Sequence, residues 1–302
     1  MYKLSDFIST NNGNGTNFVD VFTSKWDELH DISDIFRYKI DKLQEKFVGD
    51  YILLVSLLNI DRNVKRRSPE NIENICQPFN SSSFNFTKVS SKEILFSIES
   101  DVHSILANVS PISRYHSLLC PSIKKCLPQI VTAESLHLAA QLLLNAQDWN
   151  LRIVFNSLCG LASVNHLHYH LVEKSNDLKW VPITSQVFRL DQHYPVPGFC
   201  FVVRKHSISQ NISILYKVLE YFLKNSIAHN ILMTMRGDAA REGAVGVIVW
   251  PRKSTKGAKV LSAFNVAALE LSGWFPVYGS YALRFTDAIT CINNARQSLW
   301  PL

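Results

Sequence analysis

The chain has 302 residues, 47% hydrophobic and 19% charged, with a net charge of +6 and a sequence pI near 8.9. This is an ordinary globular balance that can bury one large core or two modest ones. The positive excess is too small and too dispersed to mark a nucleic-acid binder, but it suits an anionic ligand such as a nucleotide or sugar phosphate. The tightest basic run, "VKRRSP" at 64–69, reads as a solvated loop. The start, "MYKLSDFISTNNGNGT", lacks the apolar core and cleavage site of a secretory leader, and the longest apolar stretch, 51–60, is about half a membrane span. The six cysteines include no C-x-x-C pair and read as reduced thiols. A cytoplasmic protein with neither a membrane nor a nucleic-acid partner is expected.

In chain order, residues 1–16 form a flexible lead-in ending in "TNNGNGT". Residues 18–48 carry helical spacing, with Phe18, Val21, Phe22, Trp26 and Leu29 on one stripe. "VGDYILLVSLLNI" predicts a strand. Residues 61–91 predict a long polar loop with a strand fragment at "FNFTKV", and "EILFSIES" predicts another strand. "SLLCP" is a short strand, 132–147 a helix with Thr132 as N-cap, and "NLRIVFNS" and "NHLHYHLV" two further strands joined by "LCGLAS". The order then recurs: strand "GFCFVVR", helix 212–225, strands "HNILMTMRG" and "GVIVWPRK". A shift of 80 residues lays His166, His168 and His170 on Gly246, Ile248 and Trp250. An internal duplication with a degenerate second copy is therefore expected, with a catalytic half at 17–180 and a second half at 181–302 that ends in a helix and an aromatic tail.

"VNHLHYHL" concentrates the chemistry. On a strand, His166, His168 and His170 share one face, about 6.5–7 Å apart, while Leu167, Tyr169 and Leu171 turn to a core. Three readings are open. An inert strand has no need of imidazole on its polar face. Zinc can take two histidines from one strand, but no cysteine pair or H-E-x-x-H accompanies them. A nucleophilic imidazole on phosphorus needs a neutral ring in one tautomer and nearby groups to steady the phosphoryl oxygens. Ser163, three residues before His166, and Asn156 and Ser157 at the end of the neighbouring strand are candidates for that second task, though each alone is an ordinary turn residue.

The alternation from His166 to Val172 resembles the histidine-triad pattern, and "SVNH", with Ser163 and Asn165, resembles its serine-containing lead-in. "PISRYHSLLCP" is similar to its Pro-x-x-x-Gly-His-x-Leu-x-x-Pro hallmark, with His116 in place and Tyr115 where glycine is usual. "FNSLCGLASVNHLHYH", "RRSPENI", "QPFNSSSFNFTKV", "YPVPGF", "VIVWPRKS" and "AFNVAALELSGWFP" together resemble the GDP-D-glucose phosphorylase family and its plant relatives, the GDP-L-galactose phosphorylases. These matches run over 20–280. Two departures stand out: Cys159 where glycine is typical, and Val172-Glu173-Lys174 in place of an aromatic pair. His170 follows the animal type, whereas plant members carry glutamine there.

The resemblance implies an α+β fold, a histidine-triad-like, largely antiparallel sheet with packed helices. It implies phosphorolysis of GDP-D-glucose by inorganic phosphate through a guanylyl-histidine on His168, with no metal and no cofactor. His166 and His170 would assist. Ser163, Asn156, Ser157, Asn165 and His116 would hold substrate. Arg252 and Lys253, or Arg66 and Arg67, would meet phosphate, and Phe84-Asn85-Phe86 would stack on the base. A hydrolase releasing GMP, and a guanine-nucleotide binder without turnover, are the rival functions.

Overall fold

Period-two apolar runs through the middle of the chain assemble into one ten-stranded antiparallel sheet. The computed structural model describes residues 2–7, 16–31, 35–40, 43–48, 54–65, 67–173, 180–184, 187–194, 196–235, 243–258, 265–277, 293 and 296–299. The strands are β1 (Gln44–Val48), β2 (Leu54–Leu58), β3 (Asn71–Ile72), β4 (Ile94–Ile98), β5 (His103–Ala107), β6 (Ser117–Cys120), β7 (Leu151–Asn156) and β8 (Tyr169–Glu173). They continue with β9 (Trp180–Pro182), β10 (Val187–Leu190), β11 (Phe199–Val203), β12 (Ala228–Thr234), β13 (Val245–Arg252), β14 (Gly257–Ala258) and β15 (Trp274–Val277). The helices are α1 (Phe18–Asp31), α2 (Ile60–Lys65), α3 (Ala133–Ala146), α4 (Ile208–Lys224) and α5 (Ala268–Leu271). The main sheet runs β4-β5-β6-β8-β7-β12-β13-β11-β10-β9, beside a β1-β2-β15 sheet and a β14-β3 pair.

Both faces of the sheet are covered, which is why β12 and β13 are buried along their whole length. On one face Ile153, Phe155, Tyr169, Leu171, Ile231 and Val247 join Trp26 of α1, Leu143 of α3 and Leu219 of α4 in the main core. Leu167, Tyr169 and Leu171 do turn to that helical core. On the other face Val154, Val172, Leu232, Ile248 and Trp250 pack with Leu269 and Leu271 of α5 and with Trp274 of β15. Thr132 caps α3 as the sequence predicts, exchanging side-chain and backbone bonds with Ser135.

Several elements differ from expectation. The helix predicted over 18–48 stops at Asp31, and Gln44–Val48 is a strand paired with β2. The cause is a change of period: Phe36, Tyr38 and Ile40 are buried at every second position, an extended pattern. "FNFTKV" contains a 3-10 turn over Phe86–Lys88, because the Asn85 side chain accepts from the Thr87 N–H and caps it. β5, β9 and β10 were not expected. The C-terminal helix shrinks to the four residues of α5 before β15. The lead-in at 10–15, Lys174 and most of the expected tail lie outside the described residues.

Two units, β6-α3-β7-β8 and β11-α4-β12-β13, meet at the β7–β12 pair with their strands in reversed spatial order. The register carries one row across six strands: Leu118, His170, Val154, Leu232, Ile248 and Cys200. Ile248 thus stands in the row of His170. A two-fold about the seam sets His168 against Gly246, two residues out of step with the alignment read from the sequence.

Candidate active site

Of the three clustered histidines only His170 lies within β8; the expected strand over 165–172 begins at Tyr169. The preceding residues are held by side chains instead of by a ladder. Gln129 Nε2 donates to the carbonyls of both Asn156 and His168, 3.0 Å each, and Gln129 Oε1 accepts from the His168 N–H at 2.8 Å. One amide therefore spans the end of β7 and the start of the histidine run, where strand pairing would otherwise continue. Asn165 Oδ1 accepts the Gln129 N–H at 2.9 Å, and the Leu167 N–H reaches the Leu127 carbonyl at 2.9 Å.

These contacts set every tautomer. His168 Nδ1 lies 2.7 Å from the His166 carbonyl. A carbonyl only accepts, so Nδ1 carries the proton and Nε2 keeps the lone pair. His166 Nδ1 accepts the Phe86 N–H at 3.1 Å, which puts its proton on Nε2. His116 Nδ1 accepts the Ile112 N–H at 2.9 Å, so its Nε2–H donates to His170 Nδ1, also 2.9 Å away. His170 is left with its proton on Nε2. Burial drives the pKa of His168 down to about 4, against the pull of the His166 carbonyl. It drives His116 well below the ordinary histidine range, with Arg62 and His168 adding to the effect. Both rings are neutral at pH 7, and His168 is only 3% exposed.

A cleft opens beside them. Its walls include His168, His170, Ser163, Phe86, Ser68, Ser110, Asn108 and three arginines, Arg37, Arg62 and Arg67. The ring of Phe86 stands 4.9 Å from His168 and 5.6 Å from His166, and Phe79 meets His166 edge-on at 5.3 Å. Arg67 lies over the Phe84 ring, 3.2 Å from its centroid. A neutral, aimed imidazole that shares a cleft with a second histidine and three arginines can attack a phosphate ester whose oxygens those groups steady.

The other expected residues are placed differently. His116 stands behind His170, fully buried. Asn156 Oδ1 is occupied by Asn230 Nδ2 (2.6 Å) and the Ala268 N–H (3.0 Å). Ser157 Oγ accepts the His229 N–H at 2.9 Å and joins the ends of β7 and β12. Both N–H bonds of the Asn165 amide go to the carbonyls of Gln77 and Pro78. Arg252 is buried against Asn230 Oδ1 and the Val266 carbonyl, away from the cleft walls. Lys253 is exposed, its N–H bonded to the Ser298 carbonyl. Arg66 lies outside the described residues. The sequence reading missed Gln129, Arg37 and Arg62; only the Asn-x-x-Arg spacing of Asn59 and Arg62, a capped first helical turn, hinted at the last.

Both departures from glycine have a backbone signature. Tyr115 has φ +60° and Cys159 φ +57°, the left-handed region that glycine enters without cost. Tyr115 holds it while its ring packs on Trp26 and Phe22 of α1. Gly160 is needed for closeness: a Cβ there would lie 2.6 Å from Ser157 Oγ and 2.8 Å from the His229 carbonyl.

The model of the GDPGP1-like N-terminal domain matches residues 17–172. GDP-D-glucose phosphorylase 1 of Danio rerio is 34% identical, with 91% of this chain and 86% of the relative covered. The Homo sapiens protein of that name is 33% identical over 92% of this chain and 79% of its own length. GDP-L-galactose phosphorylase 2 of Arabidopsis thaliana is 30% identical over 67% of this chain and 54% of its own. The crystal structure of yeast Ap4A phosphorylase Apa2 in complex with Ap4A superposes with a TM-score of 0.65 at 15% identity, covering 94% of this chain and 98% of that one. That likeness shows the fold, a mixed α and largely antiparallel β architecture.

Proposed function

This chain belongs to the GDP-D-glucose phosphorylase family, and from that premise we propose that it converts GDP-D-glucose and inorganic phosphate to GDP and glucose 1-phosphate. The observation that carries the reading is the hydrogen bond from His168 Nδ1–H to the His166 carbonyl, which reserves the Nε2 lone pair for the α-phosphorus. In the first displacement the Nε2–P bond forms and the bond from the α-phosphorus to the bridging oxygen breaks, releasing glucose 1-phosphate. In the second, a phosphate oxygen attacks the guanylyl-histidine, the N–P bond breaks, and GDP leaves. The Nε2–H of His170 is a donor for the departing or arriving oxygen, and Ser163 and Phe86 border the same space.

A nucleotide and phosphate are the ligands, and no metal step is assigned. No helix among the described residues is long and apolar enough to cross a membrane. The five described cysteines are free, which supports a cytoplasmic location. We read the two units that meet at β7–β12 as the centres of a catalytic half over 17–180 and a degenerate copy over 181–302.

The test is a panel of GDP-sugars labelled at the α-phosphorus, with and without phosphate, on the wild type and on His168→Ala. The expected outcome is an acid-labile label on the wild type, absent from the variant, and phosphate-dependent GDP release with GDP-D-glucose preferred. GMP as the sole product would point to hydrolysis. Full turnover by His168→Ala would remove the nucleophile assignment.

A further inference from the structure

We infer that Arg37, Arg62 and Arg67 form one anion subsite, which holds the β-phosphate of the sugar nucleotide in the first displacement and inorganic phosphate in the second. The inference rests on the function proposed above. All three side chains border the cleft that His168 and His170 border, and among the described residues no Asp or Glu does. Three cations gathered beside one cleft favour an anion there. Burial, and after it the charge of Arg37, hold Arg67 below the usual guanidinium range, with Glu93 opposing.

Arg62 and Arg67 are half-buried and Arg37 is exposed, and contacts around each position it. Arg62 sits on α2, whose first turn is capped by Asn59 Oδ1 at 3.1 Å from the Arg62 N–H. The Asn59 amide in turn donates to the Pro111 carbonyl at 3.1 Å. The next residue, Ile112, gives its N–H to His116, which fixes His170. Arg37 Nη1 donates to the Lys65 carbonyl at 3.0 Å, joining its loop to the end of α2. Arg67 stacks on Phe84, a contact that uses the guanidinium face and leaves its N–H edge for an anion.

One subsite serves both steps because the reaction is a double displacement at one imidazole. The group that leaves the α-phosphorus opposite the attacking His168 nitrogen and the group that later arrives must occupy the same in-line position. Both are phosphates: one esterified to the sugar, one free. Arginine forks bind either bidentately, and that preference for a dianion over water would make the reaction a phosphorolysis.

The variants are Arg37→Ala, Arg62→Ala and Arg67→Ala, with Arg67→Lys as the conservative partner. Their folding is checked by circular dichroism and thermal melting. Each alanine variant should raise the half-saturating phosphate concentration about 10- to 100-fold, the weight of a charge-assisted hydrogen bond. The GMP:GDP product ratio should rise with it, and Arg67→Lys should recover part of the loss. Calorimetry with inorganic phosphate alone reads the subsite without turnover; folded wild type should bind it and the alanine variants should bind it more weakly. Unchanged phosphate binding and an unchanged GMP:GDP ratio in all three folded variants would overturn the subsite while leaving a wild-type His168 adduct intact. If no wild-type adduct forms, the double displacement and the shared subsite fall together.

Discussion

His116 Nε2 stands 2.9 Å from His170 Nδ1, and the proton between them belongs to His116 because its Nδ1 already accepts the Ile112 N–H. A residue 54 positions upstream therefore decides which nitrogen of His170 can donate. The same relation runs from loop to strand to cleft, so the "PISRYH" segment orients a cleft histidine without itself lining the cleft.

His116→Ala should consequently slow turnover about 10- to 1,000-fold, a loss in the range of mis-set acid–base partners. The Ile112 N–H would lose its acceptor, at a stability cost of about 1–3 kcal/mol. The informative readout is a split: kcat should fall far more than the KM for GDP-D-glucose rises. Loss of binding at constant kcat would place His116 in substrate recognition instead.

The alternation of the histidine run was legible: Leu167, Tyr169 and Leu171 turn to the core as period-two spacing predicts, although the strand itself begins only at Tyr169. The groups that aim those histidines were not. Gln129 acts 39 residues before His168, and Phe86 acts 80 residues before His166. Such long-range bonds from side chain to backbone leave no periodic trace. Asn156 and Ser157 were read as ligands from their polarity and Asn165 from the resemblance, but their amides and hydroxyl are engaged in joining strands and loops. The arginines divide. Arg67 was named and reaches the cleft, Arg252 and Lys253 were named and do not, and Arg37 and Arg62 were missed because they stand in a loop and on the short α2, far from the histidines in sequence.

Gln129→Ala tests the amide that replaces the ladder. It would orphan the His168 N–H and leave the His168 and Asn156 carbonyls one donor short, all in a buried setting. A loss of about 2–4 kcal/mol in stability is expected, from the ordinary cost of unsatisfied buried groups. Adduct formation on His168 should slow in the fraction that remains folded. A variant as stable and as active as the wild type would show that strand pairing can close the gap unaided.

Cys159 offers a test in which volume and backbone conformation predict opposite orders. Its side chain is buried with Ile72, Leu158, Ala162 and Ala228, so alanine should be tolerated better than glycine on packing alone. At φ +57° a Cβ costs about 1–2 kcal/mol, more than glycine's extra chain entropy of about 0.5–1 kcal/mol. Cys159→Gly should therefore melt above Cys159→Ala. Tyr115→Gly should by contrast melt below the wild type, since it removes the ring packed on Trp26 and Phe22. Thermal melts of the three variants decide both points, and alanine surpassing glycine at 159 would refute the strain argument.

The last prediction concerns acid. His229 is fully buried between Phe155 and Phe222, its Nδ1–H on the Ile227 carbonyl at 3.2 Å and its Nε2 without a hydrogen-bond partner among the described residues. Burial lowers its pKa to about 4. The unfolded chain titrates near the free value of about 6.5, so on acidification it takes up a proton before the native state does. Stability is thus lost as pH falls from about 6.5 towards 4, by up to about 3 kcal/mol for this ring. His168 and His116 contribute with the same sign. His229→Phe keeps an aromatic ring between Phe155 and Phe222 and removes the titration. Its stability at pH 7.5 should lie within about 1 kcal/mol of the wild type, as volume-conserving core changes do. Its loss between pH 7.5 and pH 5 should be smaller by about 1–2 kcal/mol, part of that linkage. Urea unfolding at the two pH values measures the difference. An acid loss equal to the wild type's would mean that His229 is reached by water or finds a partner on protonation, and that the remaining histidines carry the whole effect.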